Sequence, residues 1–350
     1  MKSITIDNFT IDQNSPVFII AELSANHNGS ITTAIETVKA AKRAGADCIK
    51  LQTFTADTIT LDSKKDDFKI NQGTLWDGQY LHDLYKTTHL PWEWHEQIMQ
   101  AAKAEGLICF SSPFDPTSVD FLETLDVPAY KIASFEITDI PLIEYIASKG
   151  KPVIISTGIA GKEDIELALD ACKRMGNDAI ALLKCTSSYP APINEANMCM
   201  VTDLAERYKV ISGLSDHTMG NTVPVVATAM GAKIIEKHFI LDRSIGGADA
   251  SFSMNEAEFT SMVKAVREAE SAIGVVDYDL TEKQKKGRDF CRSLYVVEDV
   301  AAGEVFTEKN IRSVRPGFGM HPKFYREILG KIAAKDLERG DPFHFDSVEK

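Results

Sequence analysis

The sequence predicts an α/β chain in three parts: a closed (β/α)8 TIM barrel over residues 1–277, a linker over 278–290, and a small β-rich domain over 291–350. Three observations lead there. Eight short apolar runs alternate with amphipathic helical stretches, the pattern of a parallel sheet whose units close on themselves. Every run ends in polar residues, as barrel strands do where they open on a site. After residue 273 the alternation stops, and short β-like runs with turn signals replace it.

The runs are Val17–Ala21, Cys48–Leu51, Leu107–Phe110, Ala129–Ile132, Val153–Ile155, Ile180–Leu183, Val210–Gly213 and Ile234–Ile235. Helical periodicity lies between them at 31–44, 93–105, 118–125, 140–148, 163–174 and 222–230, and closes the barrel at 256–273. The connection from Lys50 to Pro91 is long and carries the charged stretch 64–67, so it reads as a lid or subunit contact, with Asn71 and Trp76 reaching toward the mouth. Beyond the lysine-rich linker, Ser293-Leu294-Tyr295-Val296-Val297 alternates as a strand does. A domain of about 60 residues has a limited core, so this one is expected to lean on the barrel or on another subunit.

Composition narrows the function classes. A formal net charge of −13 argues against general attraction to nucleic acid or anionic lipid. No stretch reaches the roughly 20 apolar residues of a membrane span, and the N-terminus has no apolar signal region. Six cysteines without CxxC spacing argue against a disulfide framework or thiolate zinc site and fit a reducing cytoplasm.

The strand ends carry the chemistry. They supply Glu22, Lys50 with Gln52, Ser111, Lys131 with Ser134 and Glu136, Ser156, Lys184 with Ser187, Ser215 with His217, and Lys237 with His238. One strand-end lysine or serine merely begins a solvated loop. Eight polar ends in succession converge on one barrel mouth. Lysines Lys50, Lys131 and Lys237 beside Ser134, Ser156, Ser187 and Ser215 suit a small di- or trianion such as a phosphorylated carboxylate. A lysine Schiff base would serve a carbonyl substrate instead. Two histidines on neighbouring strands, His217 and His238, fit a divalent metal (Zn, Mn, Fe or Co) better, with positions left for water and substrate oxygen. Glu22 and Glu136, with Asp249, are the candidate acids and bases.

Taken together, Ala21-Glu22-Leu23-Ser24-Ala25-Asn26-His27-Asn28-Gly29, Lys50-Leu51-Gln52-Thr53-Phe54, Lys131-Ile132-Ala133-Ser134, Cys185-Thr186-Ser187-Ser188-Tyr189-Pro190, Gly213-Leu214-Ser215-Asp216-His217 and Glu236-Lys237-His238-Phe239 resemble the sialic acid synthase family. The resemblance covers nearly the whole chain. The last domain is similar to the antifreeze-like (SAF) module of those enzymes, with Ser313-Val314-Arg315-Pro316-Gly317 as its arginine-bearing turn. Ser134-Phe135-Glu136, Gly73-Thr74-Leu75-Trp76-Asp77 and 248–253 differ from the N-acetylneuraminate branch and resemble a branch acting on a different amino sugar. Ser187 stands where the family has an asparagine, and Lys184 where it has a histidine.

The resemblance implies condensation of phosphoenolpyruvate with an open-chain amino-sugar aldehyde, giving a nine-carbon 2-keto acid and phosphate. It implies a divalent ion, Mn2+ or else Mg2+ or Co2+, held by His217 and His238. It places phosphoenolpyruvate on Lys50, Lys131, Ser134, Ser187 and Ser215, and the sugar against Asn71, Ser156, Tyr189 and Asp249. Glu22 and Glu136 serve as catalytic carboxylates. It also implies a domain-swapped homodimer in which Arg315 reaches the partner's site.

Overall fold

The computed structural model describes residues 3–349, and the chain divides into two compact units, 1–274 and 275–350. In the first, a hairpin of β1 (Ile4–Ile6) and β2 (Phe9–Ile11) precedes eight parallel strands: β3 (Phe18–Glu22), β4 (Cys48–Thr53), β5 (Ile108–Pro113), β6 (Tyr130–Ile132), β7 (Val153–Ser156), β8 (Ile180–Cys185), β9 (Ile211–Asp216) and β10 (Ile234–His238). They close in sequence order, with β10 paired to β3. The expected barrel is the one observed.

Local chemistry sets the element boundaries. After β5, Asp115 caps the next helix by accepting from the Thr117 and Ser118 amides, and Pro116 occupies the first turn. A helix at Cys199–Tyr208 crosses between β8 and β9. Among the helical patterns picked out above, this one is absent. Its buried face is only Val201, Leu204 and Ala205, too narrow to stand out in the sequence. Short helices at Ala56–Ile59 and Leu81–Thr88 structure the long excursion after β4.

Alternate strand residues face opposite sides. Ile19 and Ala21 pack outward in a cluster with Val38, Ile98 and Phe259 of the surrounding helices. Phe18, Ile20 and Cys48 pack inward in a second cluster that also takes Ile4, Ile6 and Ile11. The hairpin therefore plugs the N-terminal end of the barrel, with Phe9 against Phe18 at 4.9 Å. Along β3, β4 and β10 the same inward parity leads from apolar residues to Glu22, Lys50 and His238 at the open end.

In the second unit, β11 (Ser293–Val296) pairs antiparallel with β12 (Ile311–Val314) over a core that includes Leu294, Val296, Phe306, Ile311 and Phe343. Its first stretch is exposed and forms a helix at Glu282–Gly287, where the sequence suggested only a linker. Among the described residues, no helix is long and apolar enough to cross a membrane.

Candidate active site

Parallel pairing sets His238 beside Glu22 and Glu22 beside Lys50. The Lys50 ammonium donates to Glu22 Oε1 at 2.8 Å, and Gln52 Nε2 donates to the same oxygen at 2.8 Å. Glu236 lies deeper: its Oε1 is 3.4 Å from Lys50 Nζ and 3.7 Å from Lys131 Nζ, and accepts from the Ser215 hydroxyl at 3.0 Å. Lys131 also donates to Ser156 Oγ at 2.6 Å. All four charged groups are buried. Burial alone would raise the Glu22 carboxyl and is the largest single influence on it, but Lys50, His238 and Lys131 together outweigh it and hold the group far below the ordinary carboxylate range. Burial would lower Lys50, yet the two carboxylates raise it. Lys131 is pushed below the ordinary lysine range by burial, only partly offset by Glu236.

Beside this floor, Ser134, Ser187 and Cys185 converge on Gly158. Its amide donates to Ser134 Oγ at 2.7 Å. A Cβ at Gly158 would lie 2.1 Å from Ser187 Oγ and 2.3 Å from Ser134 Oγ, so the two hydroxyls crowd a space that only glycine leaves open. The buried Ser112 hydroxyl has no hydrogen-bonding partner among the described residues. Hydroxyls next to paired ammonium groups make a niche for a multiply charged anion.

Above the floor stand the histidines, with ring centres 5.3 Å apart. His217 Nδ1 bonds the Thr186 carbonyl at 3.0 Å, the tie that fixes which nitrogen faces a metal. His238 Nε2 is 3.4 Å from Glu22 Oε2, and its buried Nδ1 is 3.8 Å from Asp249 Oδ2 without a hydrogen bond. Two imidazoles sharing one ion at about 2.1 Å each bring their ring centres to roughly 5 Å. The spacing and the unpartnered nitrogen suit a divalent cation held by this pair, with Glu22 alongside. No group of three or more His, Cys, Asp or Glu among the described residues forms a fuller cage.

Aromatic rings wall the mouth. Tyr189 lies 4.4 Å from His217 and 5.2 Å from Phe252, and Phe252 lies 5.0 Å from His238. Asp249 accepts from the Ser24 hydroxyl behind this wall. Glu136 follows β6 on a short helical turn. Burial raises its carboxyl to about 7 despite the pull of Lys131, and its Oε2 has no hydrogen-bonding partner among the described residues.

Two lysines expected at the mouth are elsewhere. Lys237 faces outward between Glu236 and His238, buried against Asp216 and the Thr218 carbonyl. Lys184 is half-buried and donates to Thr186 Oγ1 at 3.2 Å and to the Cys185 carbonyl. Strand parity explains both: a residue next to an inward one points out. The same parity carries what the residue-type reading passed over, since Glu236 lies two positions before His238; it also puts Gln52, already read as a strand end, on the inward side two positions after Lys50. Asn71 is exposed on the excursion, whereas Trp76 reaches Tyr189 at 5.7 Å. Arg315 belongs to the second unit and is exposed there.

A lysine floor under an imidazole pair, at the C-terminal mouth of a (β/α)8 barrel, is a site suited to a small anion beside a polarised carbonyl. The chain belongs to the NeuB family, whose model matches residues 37–278, and a SAF domain matches residues 292–349. It is 51% identical over 336 residues to a pseudaminic acid synthase of Campylobacter jejuni, covering 96% of this chain and 97% of that protein. A pseudaminic acid synthase of Helicobacter pylori is 46% identical, covering 96% and 98%. The solved spore coat polysaccharide biosynthesis protein spsE of Bacillus subtilis superposes with a TM-score of 0.68 at 31% identity, covering 100% of this chain and 99% of that one. The family read from the motifs is the family found.

Proposed function

We propose that this chain condenses phosphoenolpyruvate with 2,4-diacetamido-2,4,6-trideoxy-L-altrose to give pseudaminic acid and phosphate. The single observation that carries the reading is the stacking of two buried lysines, Lys50 and Lys131, beneath the His217–His238 pair, in a chain half identical to a pseudaminic acid synthase. The barrel, to about residue 277, would carry the chemistry. The domain from residue 291 would bring Arg315 to the sugar of a partner subunit in a homodimer.

Lys50, Lys131 and Ser215 would take the carboxylate of phosphoenolpyruvate, and Ser134 and Ser187 its phosphate. The sugar aldehyde would lie above, against Tyr189, Asp249, Ser156 and Asn71. A divalent ion on His217 and His238, Mn2+ first among the candidates, would supply Lewis-acid polarisation of the aldehyde carbonyl. Carbon 3 of phosphoenolpyruvate then bonds to the aldehyde carbon, leaving a cationic centre at carbon 2 that water captures. Expulsion of phosphate from the resulting tetrahedral carbon, by cleavage of the C–O bond, yields the 2-keto acid. Glu136, protonated up to about pH 7, suits delivery of a proton to the new alkoxide, and ionised Glu22 suits orientation of the water.

The test is phosphate release with phosphoenolpyruvate and each of three aldehydes: the L-altrose derivative, the legionaminic precursor and N-acetylmannosamine. Fastest release with the first is the expected result. Preference for either of the others would reassign the substrate.

A further inference from the structure

We propose that Trp76 determines specificity: with Tyr189 and Phe252 it forms an apolar wall that receives the methyl end of a 6-deoxy sugar. The inference rests on the reading of the function given above, and it concerns a residue that lies outside the strand-end machinery.

Trp76 is half-buried within an otherwise exposed segment. Its indole N–H donates to the Ala248 carbonyl at 3.3 Å, and its ring lies 5.7 Å from Tyr189. One side chain thus ties the excursion after β4 to the loop after β10. The segment holding it is ordered from within: Asp77 accepts from the amides of Gly73 and Thr74 at 2.9 and 2.8 Å and from the Thr74 hydroxyl. The ring is therefore presented by a pre-formed turn.

Distance matches the wall to the far end of the substrate. Ring-to-ring steps of 4.4 and 5.7 Å through Tyr189 put the indole no farther than the sum of the two from the His217 imidazole, beside which the aldehyde carbon would sit. Five C–C bonds of about 1.5 Å carry an extended six-carbon chain about 6 Å from carbon 1 to carbon 6. With a contact distance of about 4 Å added, the indole is within reach of carbon 6.

Chemistry matches as well. The one donor of Trp76 is committed to Ala248, and Phe252 has none, so the Tyr189 hydroxyl is the only uncommitted polar group on these three rings. A terminal methyl loses nothing there. A terminal hydroxymethyl group would give up water for aromatic carbon, and an apolar pocket of this kind discriminates against an added hydroxyl by up to about 100-fold.

The experiment uses the full chain with Mn2+ and compares 2,4-diacetamido-2,4,6-trideoxy-L-altrose with the same sugar bearing a hydroxyl at carbon 6. We expect the wild type to prefer the 6-deoxy compound. Trp76→Ala should raise its KM about tenfold and narrow the kcat/KM preference by a similar factor, with the KM for phosphoenolpyruvate within about twofold of wild type. Trp76→Phe, which keeps a ring against Tyr189 but drops the bond to Ala248, should retain most of the preference. A preference unchanged in Trp76→Ala, or a parallel rise in the KM for phosphoenolpyruvate, would overturn the inference while leaving the function intact. A wild type that turns over neither L-altrose compound but accepts N-acetylmannosamine would remove both.

Discussion

The ammonium of Lys50 lies 3.4 Å from a carboxylate oxygen of Glu236, a residue two positions before His238 on the same strand. The same oxygen faces Lys131 at 3.7 Å, so one buried carboxylate separates two buried cations. Removing it leaves like charges facing each other where solvent cannot screen them. Glu236→Ala should cost roughly 3–5 kcal/mol in urea unfolding, and it should raise the KM for phosphoenolpyruvate more than tenfold. Lys237→Met, one residue along but facing Asp216 on the outside, should lose comparable stability with that KM unchanged. Equal KM effects from the two variants would overturn the assignment of inside and outside.

The histidine pair makes a prediction about metal content as well as rate. Chelation should abolish phosphate release and Mn2+ should restore it. His238→Ala should retain the circular dichroism and unfolding midpoint of the wild type, yet bind less than a tenth of its Mn2+ by atomic absorption. Full Mn2+ occupancy in that variant would take His238 out of the ligand set.

Glu136 gives a pH signature with a definite sign. Its folded pKa is raised by burial from 4.5 to about 7, so its contribution to stability is complete below 4.5 and is lost as pH climbs to 7. Glu136→Gln should therefore gain stability relative to wild type across that window, on the order of 3 kcal/mol at most, and hold a constant difference above it. If the protonated acid acts in the reaction, kcat falls as pH rises through about 7. In Glu136→Gln that limb should vanish, along with about 100-fold or more of the rate. A wild-type limb persisting in the variant would assign it to another group.

Two glycines separate binding from folding. A Cβ at Gly158 meets serine hydroxyls, which can swing away, so Gly158→Ala should fold while raising the KM for phosphoenolpyruvate at least tenfold. At Gly213 the same atom would lie 2.4 Å from the Ile234 backbone carbonyl, which cannot move without separating β9 from β10. Gly213→Ala should not yield soluble folded protein. Normal binding by Gly158→Ala would disconnect Ser134 and Ser187 from the anion.

Much of this was legible from residue order. Eight apolar runs named the barrel because buried parallel strands have no polar face to disguise them. The polar ends named the mouth. Lys237 was misplaced because three ionisable residues in a row look alike until parity is applied, and parity is also what exposes Glu236. The hairpin at Ile4–Ile11 escaped notice because its strands are three residues each and owe their order to the barrel beneath. Trp76 was visible as a residue that reaches inward, but its bond to Ala248 spans 172 positions and leaves no local mark.

That hairpin also settles traffic. With Ile4, Ile6 and Ile11 packed into the core at one end of an already filled barrel, the polar mouth at the other end is where guests would enter. The buried lysines lie deeper than the imidazole pair, so the proposed anion seat would be behind the proposed aldehyde seat. On the proposed seating a queue would follow: phosphoenolpyruvate would enter ahead of the aldehyde, so excess sugar should slow turnover in competition with the phosphorylated partner.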